Sequence, residues 1–290
     1  MKKFFNTLSR RDLLNDTMDL LKMFGVKPFK RFSQNFIVDP DAIKIFLENI
    51  SESDIVLEIG AGLGTLTKFI ASKAKKVTAI EIDYRLIPIL NMVLEEYNNV
   101  EIINIDFLKL KPINIDKIVS NIPYNISSLI IEKIVKEYKF SKAILGLQKE
   151  FGLRMAAEPG SKDYSRLTVL AQFYCRIDIL RTLPPKSFYP EPEVDSIILS
   201  LTPLKKYDLD VPEEFFFKIV SILFMFRRKM LRKVLKHYLP KHIKKYSYGK
   251  LIESMDSNIL YKRIYMLSIP ELVDIAEKIW MNLNDRNIFK

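Results

Sequence analysis

One alternation limits the fold of this chain more than any other feature. Residues 55–59, 77–82, 100–105, 118–120 and 143–147 are short apolar, often β-branched runs, and helical patterns separate them. Strands joined by helical crossovers run parallel and are covered by helices on both faces, so an α/β, doubly wound, Rossmann-like sheet is expected. The helices should span residues 65–73, 84–97 and 128–138, with Pro88 tolerated close to a helix start. Residues 150–174 read as helical in two pieces broken at Pro159-Gly160, and strands at 177–183 and 196–201 should finish the sheet as an antiparallel pair. A polar linker at 204–212 leads into a segment with helical periodicity only, where Pro270 opens a last helix through Trp280. The domain boundary is therefore expected near residue 205. An extension (1–29) precedes an α/β domain (30–205) and a small all-α domain (206–290), and residues 11–24 of the extension suggest a solvated helix.

Charge divides the chain in the same way. Lys and Arg number 46 against 35 Asp and Glu, and the 11 Lys and Arg of residues 215–250, where no acid occurs, account for the whole excess. Arg227, Arg228, Lys229, Arg232, Lys233 and Lys236 recur at helical intervals beside Phe224, Met225, Met230, Leu231, Val234 and Leu235. The pattern is a helix pair with an apolar stripe and a basic face. Nucleic acid is the favoured partner over a membrane, because the apolar residues are needed for a core. A merely solvated basic face would give the same composition.

Other counts exclude whole classes. A single cysteine, Cys175, rules out a disulfide framework, and two histidines, His237 and His242, leave no plausible zinc set. No apolar run reaches the ~18 residues of a membrane span, and the first residues lack the apolar stretch of a signal peptide. A cytoplasmic, metal-free protein is expected.

Chemistry enters at two turns. Glu58-Ile59-Gly60-Ala61-Gly62-Leu63-Gly64-Thr65 follows the first strand, where glycines let the backbone approach a ligand at a helix start. Thr65 occupies the place of the last glycine of a dinucleotide fingerprint, which fits a pyrophosphate poorly. S-adenosylmethionine carries no phosphate. Its ribose needs an acid at the end of the next strand, and Glu81 stands 21 residues after Gly60. Asp106 on the third strand is placed to accept from its adenine amino group, with Ile82 and Phe107 to flank the ring.

The second turn, Asn121-Ile122-Pro123-Tyr124, ends the fourth strand. An exocyclic amine such as adenine N6 is a poor nucleophile, because its lone pair is delocalised into the ring. Acceptors for its two N–H groups localise that pair. The Asn121 side-chain oxygen and a backbone carbonyl aimed by Pro123 can serve, while Tyr124 offers a ring for stacking. A plain strand-to-helix turn would use the same residue types. Cys175 reads as an inert core thiol, Glu150 as a helix-starting member of a charge pair, and Asp195 as loop structure.

Several motifs together resemble one family. They are Ser33-Gln34-Asn35-Phe36-Ile37-Val38-Asp39, the glycine turn ending in Leu66-Thr67, Asn121 to Ser127, Gln148-Lys149-Glu150, Pro159 to Leu167, Phe188 to Ser196 and Phe226-Arg227-Arg228-Lys229. In this order they are similar to the small-subunit ribosomal RNA adenine N6,N6-dimethyltransferases of the KsgA type, from about Lys30 to Lys236. Ser33 stands where that family commonly has Gly, and Ile37 where it has Leu.

The resemblance implies a class I (Rossmann-like) S-adenosylmethionine-dependent methyltransferase domain with a helical domain that binds rRNA. It also implies methyl transfer to N6 of two adjacent adenosines near the 3′ end of small-subunit rRNA, within a pre-small-subunit particle, by a monomer with a role in small-subunit biogenesis. Carried over, Asn35, Ile37, Gly60, Glu81, Asp106 and Asn121 line the cofactor pocket, Asn121 and Tyr124 hold the base, and Phe188 stacks on its other face. Arg227, Arg228, Lys229, Arg232 and Lys233 would contact RNA. Three alternatives share parts of the pattern: a large-subunit rRNA adenine methyltransferase of the erythromycin-resistance type, a DNA adenine methyltransferase, whose turn more often carries two prolines after Asp or Asn, and a mainly non-catalytic ribosome-assembly factor. Pro159 to Leu167 resembles only the small-subunit group, and intact Glu81, Asp106 and Asn121 speak against lost catalysis.

Overall fold

The structure, a computed structural model, describes residues 3–29, 33–204, 207–243 and 247–283. Two compact units divide it: Met1–Gly152 with Cys175–Pro203, and Leu153–Tyr174 with Leu204–Lys290.

The first unit begins with α1 (Arg10–Met23), β1 (Phe36–Ile37) and α2 (Pro40–Glu48). There follow β2 (Ile55–Ile59), α3 (Thr65–Ala71), β3 (Lys76–Glu81), α4 (Ile87–Val93) and β4 (Val100–Asn104). Next come β5 (Lys117–Asn121), α5 (Ser127–Glu137), β6 (Lys142–Gln148) and the start of α6 (Lys149–Met155). The unit resumes with β7 (Cys175–Leu183), β8 (Phe188–Tyr189) and β9 (Ser196–Pro203). Seven strands form one sheet in the order β4-β3-β2-β5-β6-β9-β7, parallel from β4 to β6 and antiparallel at β9 and β7, as the alternation implies. The strand order reverses between β2 and β5, so loops from their carboxyl ends diverge and leave a crevice. The expected helix at 84–97 is shorter: Tyr84–Leu86 form a 3-10 turn and α4 starts at Ile87. Pro88 sits in its first turn, where no intrahelical N–H is lost.

The N-terminal extension is part of this unit, not a solvated appendage. Leu13 and Leu20 of α1 are fully buried, and Phe4 and Phe5 join the same core cluster. Polar links fix it: the Phe5 amide donates to Asp16 (2.7 Å), and Lys68 Nζ donates to the Phe4 carbonyl (2.6 Å) and Asn6 Oδ1 (2.8 Å). A periodic pattern shows that a helix has an apolar face but not what covers it.

The second unit holds α7 (Arg166–Tyr174), α8 (Glu213–Met225), α9 (Leu231–His237), α10 (Tyr248–Glu253), α11 (Ser257–Tyr261) and α12 (Ile269–Met281). Ser268 and Glu271 form a capping box on α12, with Pro270 in the first turn. The expected boundary at residue 205 falls just outside the described residues. It is also incomplete, because residues 153–174 belong with the helical unit. Aromatic packing explains this: Phe173 stacks on Phe216 at 5.0 Å, and Tyr164 lies 5.7 Å from Phe224. The expected basic helix pair is only partly formed: Arg227, Arg228 and Lys229 lie in the turn between α8 and α9, Leu231, Val234 and Leu235 of α9 are buried as the stripe requires, and Met225 is exposed. Among the described residues no helix is long and apolar enough to cross a membrane.

Candidate active site

A cavity of about 270 Å³ opens at the carboxyl ends of β2, β3, β4 and β5, where the strand order reverses. Asn35, Ile37, Gly60, Glu81, Ile82, Asp106, Asn121 and Pro123 all line it, although they are spread over 89 positions of sequence. Glu58, which sequence reasoning did not assign to the site, lines it too.

The glycine turn makes the near wall. Gly60 and Gly62 have φ of 77° and 60°, a left-handed backbone that side-chain-bearing residues avoid. A Cβ on Gly60 would meet nothing within 4 Å, which leaves that wall open to a ligand, whereas one on Gly62 would lie 3.2 Å from the Phe36 ring. Ser33, at the rim, also has positive φ, 47°. Glycine adopts that conformation at least cost.

Acidic groups define the electrostatics. Glu81 is 5% exposed; its Oε2 accepts from the Gly62 amide and its Oε1 from the Asp83 amide, both at 2.8 Å. Burial pushes its carboxyl pKa up, against the pull of those amide bonds. Asp106 caps the 3-10 turn Phe107–Lys109, accepting from the Leu108 amide at 2.9 Å. Glu58 is more extreme. It is 2% exposed, its Oε2 has no hydrogen-bond partner, and burial, with the neighbouring Glu81 charge, pushes its pKa up to about 8. Alternation along β2 gave no hint of this, since Glu58 stands among residues that read only as buried strand.

Outside the acids, Asp83 binds Arg85 through both oxygens, at 2.9 Å to Nε and 2.6 Å to Nη2, and accepts from Gln34 Nε2 at 2.8 Å. The Arg85 guanidinium lies 3.4 Å from the centre of the Phe29 ring, and the Phe29 amide donates to Gln34 Oε1 at 2.8 Å. Residues flanking the rim are thus fastened to the end of β3.

Asn121, last in β5, is oriented from both sides. Its Nδ2 donates to the Asn35 carbonyl at 2.9 Å, and Gly146 opposite it on β6 leaves room for the carboxamide oxygen. That oxygen is buried and has no hydrogen-bond partner. Tyr124 is half-buried and stands beside the lining, its hydroxyl bonded to that of Ser196 at 2.6 Å.

Three assigned residues, Tyr124, Phe107 and Phe188, are not in the cavity lining, and the last two are buried. Phe188 is 2% exposed: β8 pairs with β1, Phe188 opposite Ile37, and its ring joins the core cluster, so no face is open for a base. Phe107 is 5% exposed and stacks on Tyr138 at 5.5 Å, while Leu108 takes the position in the lining. The expected charge pair of Glu150 is instead made by its neighbour: Lys149 Nζ lies 3.0 Å from Asp195. Cys175 is buried, and burial pushes its thiol pKa up to about 12, so no thiolate forms near neutrality.

The helical unit carries its own cavity, about 660 Å³, lined by Arg154, Lys162, Arg227, Arg228 and Arg263 with Asp163 as the single acid. Arg227 donates to the Lys162 carbonyl at 2.8 Å, and its Nε has no partner. Lys229, Arg232 and Lys233 are exposed outside this cavity, with Arg232 bonded to the Tyr261 hydroxyl at 2.9 Å. Arg154, Lys162 and Arg263 are cations that sequence reasoning did not single out; their convergence comes from the end of α6 and the loop ahead of α7 meeting the turn after α11. Among the described residues no group of His, Cys, Asp and Glu could hold a metal ion.

Comparison with known proteins agrees with this geometry. Residues 26–272 match the family profile described as ribosomal RNA adenine dimethylase. The ribosomal RNA small subunit methyltransferase A of Thermotoga maritima is 39% identical over 265 residues, 90% of this chain and 89% of that protein. The crystal structure of a dimethyladenosine transferase from Plasmodium falciparum superposes with a TM-score of 0.74 at 30% identity, covering 83% of this chain and 95% of that one. That of the 23S rRNA methyltransferase ErmE gives 0.63 at 26% identity, covering 84% and 99%. On its sequence from residue 26 to 272 and on its sheet and cavity, the chain belongs to the ribosomal RNA adenine dimethylase family, enzymes of the class I methyltransferase fold.

Proposed function

We propose that this protein transfers methyl groups from S-adenosylmethionine to N6 of two adjacent adenosines near the 3′ end of small-subunit rRNA. It acts as a monomer on a pre-small-subunit particle in the cytoplasm and contributes to small-subunit biogenesis. The observation that carries the reading is one cavity lined together by Glu81, Asp106 and Asn121, the last held by its Nδ2 bond to the Asn35 carbonyl.

Those residues suit the cofactor. Glu81 offers a buried carboxylate to ribose hydroxyls, Asp106 an acceptor to the adenine amine, Ile82 an apolar face to the ring, and open Gly60 a close backbone approach. S-adenosylmethionine supplies a methyl group made electrophilic by a positive sulfur. Asn121 Oδ1 and the Ile122 carbonyl accept from the substrate amine and localise its lone pair. The Pro123 carbonyl is already engaged by Ser127 Oγ and the Ile126 amide. Tyr124 stacks on the base. Holding amine, methyl and sulfur in line is a proximity contribution, and no dedicated base is required, because the methylated amine releases its proton to water or a carbonyl. Arg227, Arg228, Lys229, Arg232 and Lys233 dock the rRNA through phosphate contacts, joined by the other cations of the helical unit's cavity.

The similarity to ErmE favours one second reading, methylation of a single large-subunit adenine. Incubation with labelled S-adenosylmethionine and unmethylated small subunits, large subunits or duplex DNA, followed by nucleoside analysis, separates them. Dimethyladenosine in small-subunit rRNA is expected. Label in large-subunit rRNA, or in monomethyladenosine alone, overturns the proposal.

A further inference from the structure

The motif from Phe188 to Ser196 has no part in the cofactor cavity, yet its last residue reaches the turn that holds the base. Ser196 opens β9 and is fully buried, among Ile197, Ile198 and Leu199, which are equally so. A hydroxyl there needs a partner, since a buried unpaired one is costly. Its partner is the Tyr124 hydroxyl, 2.6 Å away. We propose that Ser196 is a positioning residue for methyl transfer, fixing the Tyr124 ring in the plane on which the target adenine stacks. The proposal rests on the reading of Tyr124 as the stacking face.

The geometry holds the ring at both ends. At the backbone end, the Ile122 amide donates to the Gly146 carbonyl at 2.9 Å, and Ser127 Oγ shares its one proton between the Pro123 and Tyr124 carbonyls, each 3.2 Å away. At the hydroxyl end, the anchor is rigid. Ser196 is paired with Gln148 of β6 on one side and Leu183 of β7 on the other, so it lies inside the sheet. Next to it, the Lys149 amide donates to the Asp195 carbonyl at 2.9 Å, and Lys149 Nζ is 3.0 Å from the Asp195 carboxylate. Lys149 and Asp195 thus act one step further out, closing the start of β9 onto the end of β6. A Tyr side chain has two rotatable angles, and a ring free at its hydroxyl end would sample orientations that present an edge to the base. Burial pushes the Tyr124 pKa up, so the hydroxyl keeps its proton and the bond persists across neutral pH.

Five variants test this: Ser196→Ala, Ser196→Thr, Tyr124→Phe, the Ser196→Ala/Tyr124→Phe double variant and Tyr124→Ala. Each is assayed for kcat and KM on unmethylated small subunits, for S-adenosylmethionine affinity by calorimetry, and for Tm. Ser196→Ala and Tyr124→Phe should each lower kcat/KM for the subunit about fivefold to tenfold, leave cofactor affinity unchanged, and not add in the double variant. Ser196→Thr, which keeps a hydroxyl, should restore most of the loss. Full turnover by Tyr124→Phe, or additive losses in the double variant, overturns the proposal, and Tyr124→Phe carries this test even if Ser196→Ala folds poorly. Tyr124→Ala separates the two levels: full turnover there refutes the stacking reading itself, whereas its loss beside unimpaired Tyr124→Phe refutes only the role of Ser196.

Discussion

Replacing Glu58 by Gln should change how the stability of this protein depends on pH, in a direction set by the burial of its carboxyl. Glu58 is 2% exposed with Oε2 unpaired, and burial, reinforced by the Glu81 charge, moves its pKa from 4.5 to about 8. Below pH 4.5 the carboxyl is protonated in native and unfolded chains and contributes nothing. Between 4.5 and 8 the unfolded chain releases the proton while the native chain keeps it, so stability falls as pH rises. Above 8 the native group ionises too, and the loss levels off. At 1.36 kcal/mol per unit, the whole window amounts to roughly 5 kcal/mol, of which about 3 is lost by pH 7. Gln has nearly the same shape and titrates in neither state. The stability difference between variant and parent should therefore grow by about 1.4 kcal/mol per pH unit from pH 5 to 8 and then flatten. Urea unfolding followed by circular dichroism at half-unit pH steps measures it. The slope is the test, because a constant offset from the unpaired amide of Gln cancels, as do the titrations of carboxyls remote from Glu58, and only Glu81, whose charge couples to it, adds a smaller pH-dependent contribution. Parallel stability profiles for the two proteins would refute the argument, since they would mean that Glu58 ionises in the native state much as in water.

Three further outcomes follow from the site. Asn121→Ala removes the oriented acceptor and should lower kcat by about 10²–10³-fold while S-adenosylmethionine affinity, measured by calorimetry, falls far less; loss of binding with normal turnover at saturation would reverse the assignment. Arg85→Ala frees both Asp83 and Phe29 and should weaken cofactor binding several-fold with kcat nearly unchanged, because the clasp touches only the rim. Arg228→Ala should weaken binding to any small-subunit RNA and reduce the slope of log K against log salt by about 1, with cofactor affinity untouched.

Much of the sheet was legible because its central strands are buried on both faces. Parallel strands covered by helices read as continuous Val and Ile runs, and 55–59 appears in the structure with both ends as expected. The cofactor wall was legible for a different reason. Backbone demands leave marks on residue type, as at Gly60 and Gly62, and acids at strand ends are conspicuous among apolar neighbours. Aromatic residues misled, since Phe107 and Phe188 could equally flank a ligand or fill a core, and only the stacking of Phe107 on Tyr138 and the place of Phe188 in the core cluster beside β1 decided for the core. Glu58 was missed because a carboxylate in a buried strand carries no sign of which way it faces.

What the sequence by itself determined is therefore local or periodic: the alternation that dictates a doubly wound sheet, the turns that need glycine or proline, the basic segment, and the motif order that marks the family. Tertiary structure decided which distant pieces meet. It assigned residues 153–174 to the helical unit, buried the N-terminal helix in the α/β core, turned Asn121 with the Asn35 carbonyl so that one oxygen stays unpaired, and brought Ser196 to the Tyr124 hydroxyl. Each of these joins residues tens of positions apart. Such contacts depend on how faces pack and on strand register, and neither is encoded in the type or spacing of any one segment.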